Sequence, residues 1–340
     1  MSDPATVLVT GGSGYIGGWC VIGLLNQGHT VRTTVRDLGR EADVRAALGK
    51  QADLSRLSFH AADLTADAGW DEAAQGCDYL LHVASPITVA EPKDPNELIV
   101  PARDGARRAI AAAVKAGVKR VVMTSSVAAT SHAPSGPDSV ADETVWTDPD
   151  APGVSAYAQS KTLAERAAWS LIGASGGATT LATVNPALVI GPVLSQDFSG
   201  SVQVVERLLT GRVPGLPRLG FNIVDVRDVA DLHIRAMTAP QAAGQRLIAA
   251  GVYAWMADLA VLLRERLGPQ AAKVPTNKVP DFVLRLAGLF DKDIASVTGG
   301  LGKKHDFTSA KAQALLGWRP RPLDETVLDC ARSLIETGSV

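Results

Sequence analysis

Short apolar runs and helical stripes alternate along this chain almost from its first residue. Val7 to Val9 is an uninterrupted apolar run and reads as a buried strand. Apolar side chains then recur at Tyr15, Ile16, Trp19, Ile22 and Leu25, the spacing of one helix face. Further strands are predicted at Thr30–Val35, Leu57–Ala61, Tyr79–Val83, Arg120–Thr124 and Thr180–Val184. Between them lie an alanine-rich helix from Arg107 to Ala116, stopped at Gly117, and another from Tyr157 through Leu163, Ala164 and Trp169. Such alternation predicts an α/β fold, a doubly wound parallel Rossmann sheet with helices on both faces. After Pro186 the rhythm breaks at Gly191-Pro192, Pro214, Pro217 and Gly220. A strand around Val224–Val226 and a helix from Asp228 to Met237 follow, and from Ala254 short amphipathic helices dominate.

Between the first strand and first helix stands Thr10-Gly11-Gly12-Ser13-Gly14-Tyr15-Ile16-Gly17. Strand, glycine turn and helix is the context a dinucleotide fingerprint requires. Gly11 permits the turn, Gly14 lets backbone approach a pyrophosphate, and Gly17 lets the helix sit close to the strand. Ser13, Tyr15 and Ile16 complete the loop at the helix N-terminus, whose free N–H groups suit an anion. The second strand ends at Arg36-Asp37, with Arg40 a turn later. A carboxylate at this position suits the ribose 2′-hydroxyl of NAD, whereas a guanidinium suits the 2′-phosphate of NADP. Arg36 and Arg40 favour NADP(H), and Asp37 keeps NAD in view. The expected division is an NADP-binding Rossmann domain over 1–185, rejoined by 222–250. Residues 186–221 and 251–340 form a smaller, mostly helical substrate lobe.

Composition narrows the alternatives. The chain has 340 residues, 46% hydrophobic, enough for a large buried core. A net charge of −2 without long runs of one sign gives no support to a nucleic-acid partner. No stretch of about 18 apolar residues suggests a membrane span, and the N-terminus lacks a signal-peptide pattern. Cys20, Cys77 and Cys330 are widely spaced, and the histidines have no ligand-spaced neighbours. We therefore expect a cytoplasmic protein without structural metal, as a monomer or homodimer.

Tyr157 and Lys161 are four apart, hence on one face of their helix. An ammonium beside a phenol favours the phenolate, which makes a proton donor usable near neutral pH. Ser126, or its neighbour Ser125, ends the preceding strand and offers a hydroxyl to a carbonyl oxygen. Two donors aimed at an oxygen that gains charge act mainly in the transition state.

Taken together, these motifs resemble the extended short-chain dehydrogenase/reductase family. The resemblance rests on the glycine loop, Asp63-Leu64, His82-Val83-Ala84-Ser85-Pro86, Thr124-Ser125-Ser126, Tyr157 with Lys161, and Asn185-Pro186-Ala187. Val35-Arg36-Asp37 and Leu316-Gly317-Trp318-Arg319-Pro320 are similar to its dihydroflavonol reductase, cinnamoyl-CoA reductase and methylglyoxal reductase branch. The resemblance implies NADPH-dependent carbonyl reduction, with Ser126, Tyr157 and Lys161 catalytic. It implies that Asp63 and Leu64 flank the adenine and that Ala84 lies near the ribose. Val83, Ser85, Thr124, Pro186 and Val189 join the expected cofactor set. Pro86, Ile87, Leu219 and Phe221, with Ser126 and Tyr157, are the expected substrate contacts, although Leu219 and Phe221 serve equally well as lobe core. The expected substrate is an uncharged aldehyde or ketone. The competing readings are an NAD-dependent epimerase or dehydratase of a sugar nucleotide, and a non-catalytic NADP-sensing regulator.

Overall fold

The computed structural model describes residues 3–86, 92–131, 139–290 and 298–340. A seven-stranded sheet dominates it, in the order β10-β7-β5-β4-β1-β2-β3. Its strands are β1 (Thr6–Thr10), β2 (Thr30–Val35), β3 (Leu57–Ala61), β4 (Tyr79–His82), β5 (Arg120–Thr124), β7 (Thr180–Pro186) and β10 (Arg246–Ala249). Every pairing is parallel. Parallel strands need helical crossovers, and those helices bury both sheet faces. This is why β5 is buried along its whole length. On one face pack α1 (Tyr15–Asn26) and α7 (Val226–Thr238), within the core that holds Val7, Val9, Val122 and Val184. On the other, α4 (Asn96–Lys115) and α5 (Ala156–Ala174) cover Leu8, Leu80, Val121 and Leu181.

The chain order reverses between β1 and β4, so a crevice opens at the carboxyl ends of those two strands. Residues after β7 build a second layer over that edge. A three-stranded sheet, β11-β9-β8, contains β8 (Leu188–Ile190), β9 (Gly220–Asp225) and β11 (Tyr253–Trp255). Its own core, with Val205, Leu208, Leu259, Leu263 and Leu334, includes α6 (Gln203–Thr210), α8 (Met256–Leu267) and the C-terminal α11 (Leu323–Glu336). The stretch 222–250 is thus shared: β9 pairs in the small sheet, while α7 and β10 join the large one. Two hydrogen bonds tie α1 to the upper layer. Tyr15 Oη donates to the Gly191 carbonyl at 2.7 Å and Trp19 Nε1 to that of Pro192 at 3.0 Å.

The alanine-rich helix is longer than its periodicity predicts, beginning at Asn96 rather than near Arg107. Pro101 lies inside it and reads in sequence as a breaker. As the sixth residue of the helix, the proline forfeits the backbone bond to the Glu97 carbonyl, and the burial of Leu98, Ile99 and Ala102 around it holds the turn helical.

Candidate functional site

The glycine loop is held from below by the threonines of β2. Gly12 N donates to Thr33 Oγ1 at 3.0 Å, Gly11 N to Thr34 Oγ1 at 3.2 Å, and Thr33 Oγ1 donates on to the Val9 carbonyl. Gly11 has φ of +70°, and a Cβ there would press on Ala84 at 3.0 Å. A Cβ on Gly17 would sit 2.1 Å from the Gly11 carbonyl oxygen, so only glycine lets α1 start this close to the turn. The N-cap residue Gly14 makes no side-chain cap bond, and the first turn of α1 has no acidic residue. The amide end of α1 therefore faces the crevice uncapped. These are the features a pyrophosphate requires.

At the end of β2, Arg36 is exposed, and no hydrogen bond or ion pair engages it among the described residues. Its positive charge helps hold the Asp63 carboxyl below the usual range, after the larger effect of two bonds from Thr65. The neighbouring Asp37 caps its own turn by accepting from Gly39 N at 2.8 Å. Of the two basic candidates, then, Arg36 has its guanidinium free. Arg40 instead reaches Asp197 of the upper layer at 2.8 Å.

Several expected cofactor residues have side chains engaged elsewhere. Asp63 accepts from Thr65 N and Thr65 Oγ1, an Asx-type turn. Leu64 packs beside the core on the α4 side, the Tyr15 phenol is spent on Gly191, and Thr124 Oγ1 is bonded to His233 on α7 at 2.7 Å. Ser13 and Ile16 lie in the turn and first turn of α1, where their backbone faces the crevice end of the helix. Val83 and Ala84 both donate backbone N–H groups to Thr10 Oγ1. Pro186 ends β7 beside Ala249, and Val189 is buried on β8. Leu219 is buried and Phe221 half-buried against the upper core. Ile87 lies outside the described residues, and Pro86 immediately precedes that gap.

Two of the catalytic candidates, Tyr157 and Lys161, lie on neighbouring turns of α5. Ser155 caps α5 by accepting from Ala158 N, which places Tyr157 in the first turn, half-buried, with Lys161 one turn on. Lys161 is 4% exposed, and its Nζ lies 5.8 Å from the centre of the Tyr157 ring. Nζ also donates to Ser85 Oγ at 2.9 Å, linking α5 to the segment after β4. His82 stands buried beside this ammonium. Burial, and then Lys161, push its pKa down to about 3. Thr10 Oγ1 already accepts from Val83 and Ala84, so its one proton goes to His82 Nδ1 at 3.0 Å. That bond fixes a neutral ring carrying its proton on Nε2.

Donor accounting separates the two serines. Ser125 Oγ donates to Glu165 Oε2 at 2.5 Å, inside the protein. Ser126 Oγ accepts from Ala128 N at 3.1 Å, which occupies a lone pair and leaves its proton available. Of this pair, Ser126 alone keeps a hydroxyl proton without a partner among the described residues.

Behind these residues is a cluster that the motif reading passed over. Glu165, fully buried, pairs with Arg246 at 2.7 Å. Arg246 also donates to the carbonyls of Glu143, Val145 and Ala129, and its guanidinium stacks 3.6 Å from the Trp146 ring centre. A signal for it does exist in the sequence. Glu165 continues the four-residue spacing of Tyr157 and Lys161, and Arg246 opens an otherwise apolar strand.

Fold and loop together define a Rossmann-type dinucleotide-binding protein. Residues 7–251 match the model of the NAD-dependent epimerase/dehydratase family, and the chain belongs to that family, the extended short-chain dehydrogenases/reductases. It is 38% identical to the cinnamoyl-CoA reductase CAD2 of Medicago truncatula over 265 residues, 76% of this chain and 80% of that protein. It is 36% identical to dihydroflavonol 4-reductase of Gerbera hybrida over 273 residues, 78% of this chain and 73% of that one. Among solved structures, yeast methylglyoxal/isovaleraldehyde reductase Gre2, complexed with NADPH, superposes with a TM-score of 0.81 at 25% identity. The match covers 98% of this chain and 100% of that one.

Proposed function

We propose that this protein reduces an uncharged aldehyde or ketone to the alcohol with NADPH, reversibly. It is an NAD(P)-dependent reductase of its family, and its cofactor is NADP(H). The finer reading rests on one observation. The buried Lys161 ammonium stands 5.8 Å from the centre of the Tyr157 ring while donating to Ser85, just after β4. The uncapped first turn of α1 holds the pyrophosphate, Arg36 the 2′-phosphate, and Ala84, Ser85 and Lys161 the ribose side. When bound, the cofactor supplies the hydride.

The chain's own residues handle the oxygen. Ser126 donates a hydrogen bond to the substrate carbonyl and orients it. Tyr157 hands its phenolic proton to the same oxygen as negative charge grows there. Lys161 steadies the phenolate left behind. Both donors strengthen as charge develops, so they act on the barrier more than on binding. The division into a nucleotide domain over 1–185, with α7 and β10, and a substrate lobe above it follows from this reading.

The test is a panel of aliphatic and aromatic carbonyls assayed with NADPH and NADH by absorbance. Net NADPH consumption is the expected result. An epimerase or dehydratase would return its hydride and consume none. Binding of NADPH with no oxidation across the panel would instead point to a sensor.

A further inference from the structure

Two adjacent hydroxyls, Ser125 and Ser126, follow β5 at the crevice, yet among the described residues only Ser126 keeps a hydroxyl proton without a partner. The cause lies one layer deeper. The Glu165 carboxylate collects donors from four elements. Oε1 accepts from Thr183 Oγ1 at 2.9 Å, Trp169 Nε1 at 3.3 Å and Arg246 Nε at 2.7 Å. Oε2 accepts from Ser125 Oγ and from Asn185 Nδ2 at 2.9 Å. The same Asn185 amide donates its other proton to the Ser126 carbonyl at 3.1 Å. Glu165 thus draws the first serine inward and, through Asn185, grips the backbone of the second. It also sits on α5 one turn beyond Lys161, so the clamp and the Tyr157 helix are one rigid piece.

We infer that Glu165, charge-balanced by Arg246, is a positioning residue that selects Ser126 as the carbonyl-orienting hydroxyl and sets its depth relative to Tyr157. This rests on the reductase reading above. A carboxylate with its acceptor sites filled and its charge paired in the interior specifies one arrangement of its partners. A misplaced donor costs rate, because the hydrogen bond is needed at the oxygen's transition-state position.

A double-mutant cycle reads the connection. Ser126→Ala should lower kcat by about 100-fold, the usual loss for one such donor. Glu165→Gln should lower kcat by roughly 10-fold or more, with NADPH affinity by fluorescence titration within about threefold of wild type. In the double variant the losses should not multiply, because the serine that Glu165 places is already gone. Should Glu165→Gln fail to fold, Asn185→Ala keeps the Glu165–Arg246 pair and carries the same cycle. Crystals of whichever variant folds should show the Ser126 backbone displaced, a readout that needs no turnover. Losses that multiply, or an unmoved Ser126 backbone, overturn the inference even where wild type is active and Tyr157→Phe is not. A wild type that consumes no NADPH with any carbonyl overturns the reductase reading instead, and the crystallographic comparison still judges the clamp.

Discussion

At the level of single residues, the proposed mechanism gives Tyr157 and Lys161 separable duties. The Tyr157→Phe variant should lose nearly all turnover, by about 1,000-fold or more, while NADPH affinity stays within a few-fold, because only the proton donor is removed. Lys161→Ala should damage turnover and NADPH affinity together, since one ammonium serves both Tyr157 and the Ser85 side of the crevice. Full turnover in Tyr157→Phe would sink the proposed proton path. Arg36→Ala should raise the Michaelis constant for NADPH at least tenfold more than that for NADH, because a guanidinium contact to phosphate is charge-assisted. An equal effect on both cofactors would remove Arg36 from that role. These residues were legible because their chemistry lies in short local strings. Asn185 stood in a quoted motif without a role, and Glu165 and Arg246 left only a faint spacing signal, since the meaning of all three depends on which distant strands the fold brings beside them. Ser125 and Ser126 look interchangeable on paper and differ only in where each hydroxyl proton goes.

Among the elements, the strand–glycine–helix unit at the N-terminus was the most readable, because each glycine there answers a local steric demand. Gly17 makes that demand testable. Replacing it with Ala forces a methyl against the Gly11 carbonyl, so the turn or the helix must move. We expect the NADPH dissociation constant to rise by about tenfold or more, and stability to fall by about 1–3 kcal/mol, the range for an overpacked site. Unchanged affinity by titration calorimetry would show that the turn does not contact the cofactor. Strand positions were legible from apolar runs, whereas the first half of α4 was not. The stretch around Pro101 carries a breaker, and its helicity depends on packing against the sheet rather than on its own sequence. The small sheet was also illegible in advance. The glycine and proline breaks around it mark turns without saying which strands pair.

For the whole molecule, three buried histidines make stability depend on pH, and burial lowers the pKa of each, His29 included. His233 accepts from Thr124 at Nε2 and donates from Nδ1 to the Val229 carbonyl at 2.7 Å, and burial lowers its pKa to about 4. His82 is lowered to about 3. In the unfolded chain all three return to about 6.5. Between the folded and unfolded values the unfolded state binds more protons, so stability is fully present above about 6.5 and lost as pH falls. For His233 the loss accumulates toward pH 4 at up to about 1.4 kcal/mol per unit. Thermal melts of wild type should drop steeply between pH 6.5 and 4.5, and His233→Gln should show a shallower slope whatever its absolute Tm. Equal slopes would clear this histidine. The last consequence belongs to the straps from Tyr15 and Trp19 to the Gly191-Pro192 turn. They fasten the N-terminal half of the first helix to the rim of the upper layer, so, if the proposed cofactor and substrate sites hold, occupancy of one compartment should be felt as affinity in the other. Such communication runs equally in both directions. Cutting the Tyr15 strap with phenylalanine should leave each ligand able to bind but less aware of its neighbour.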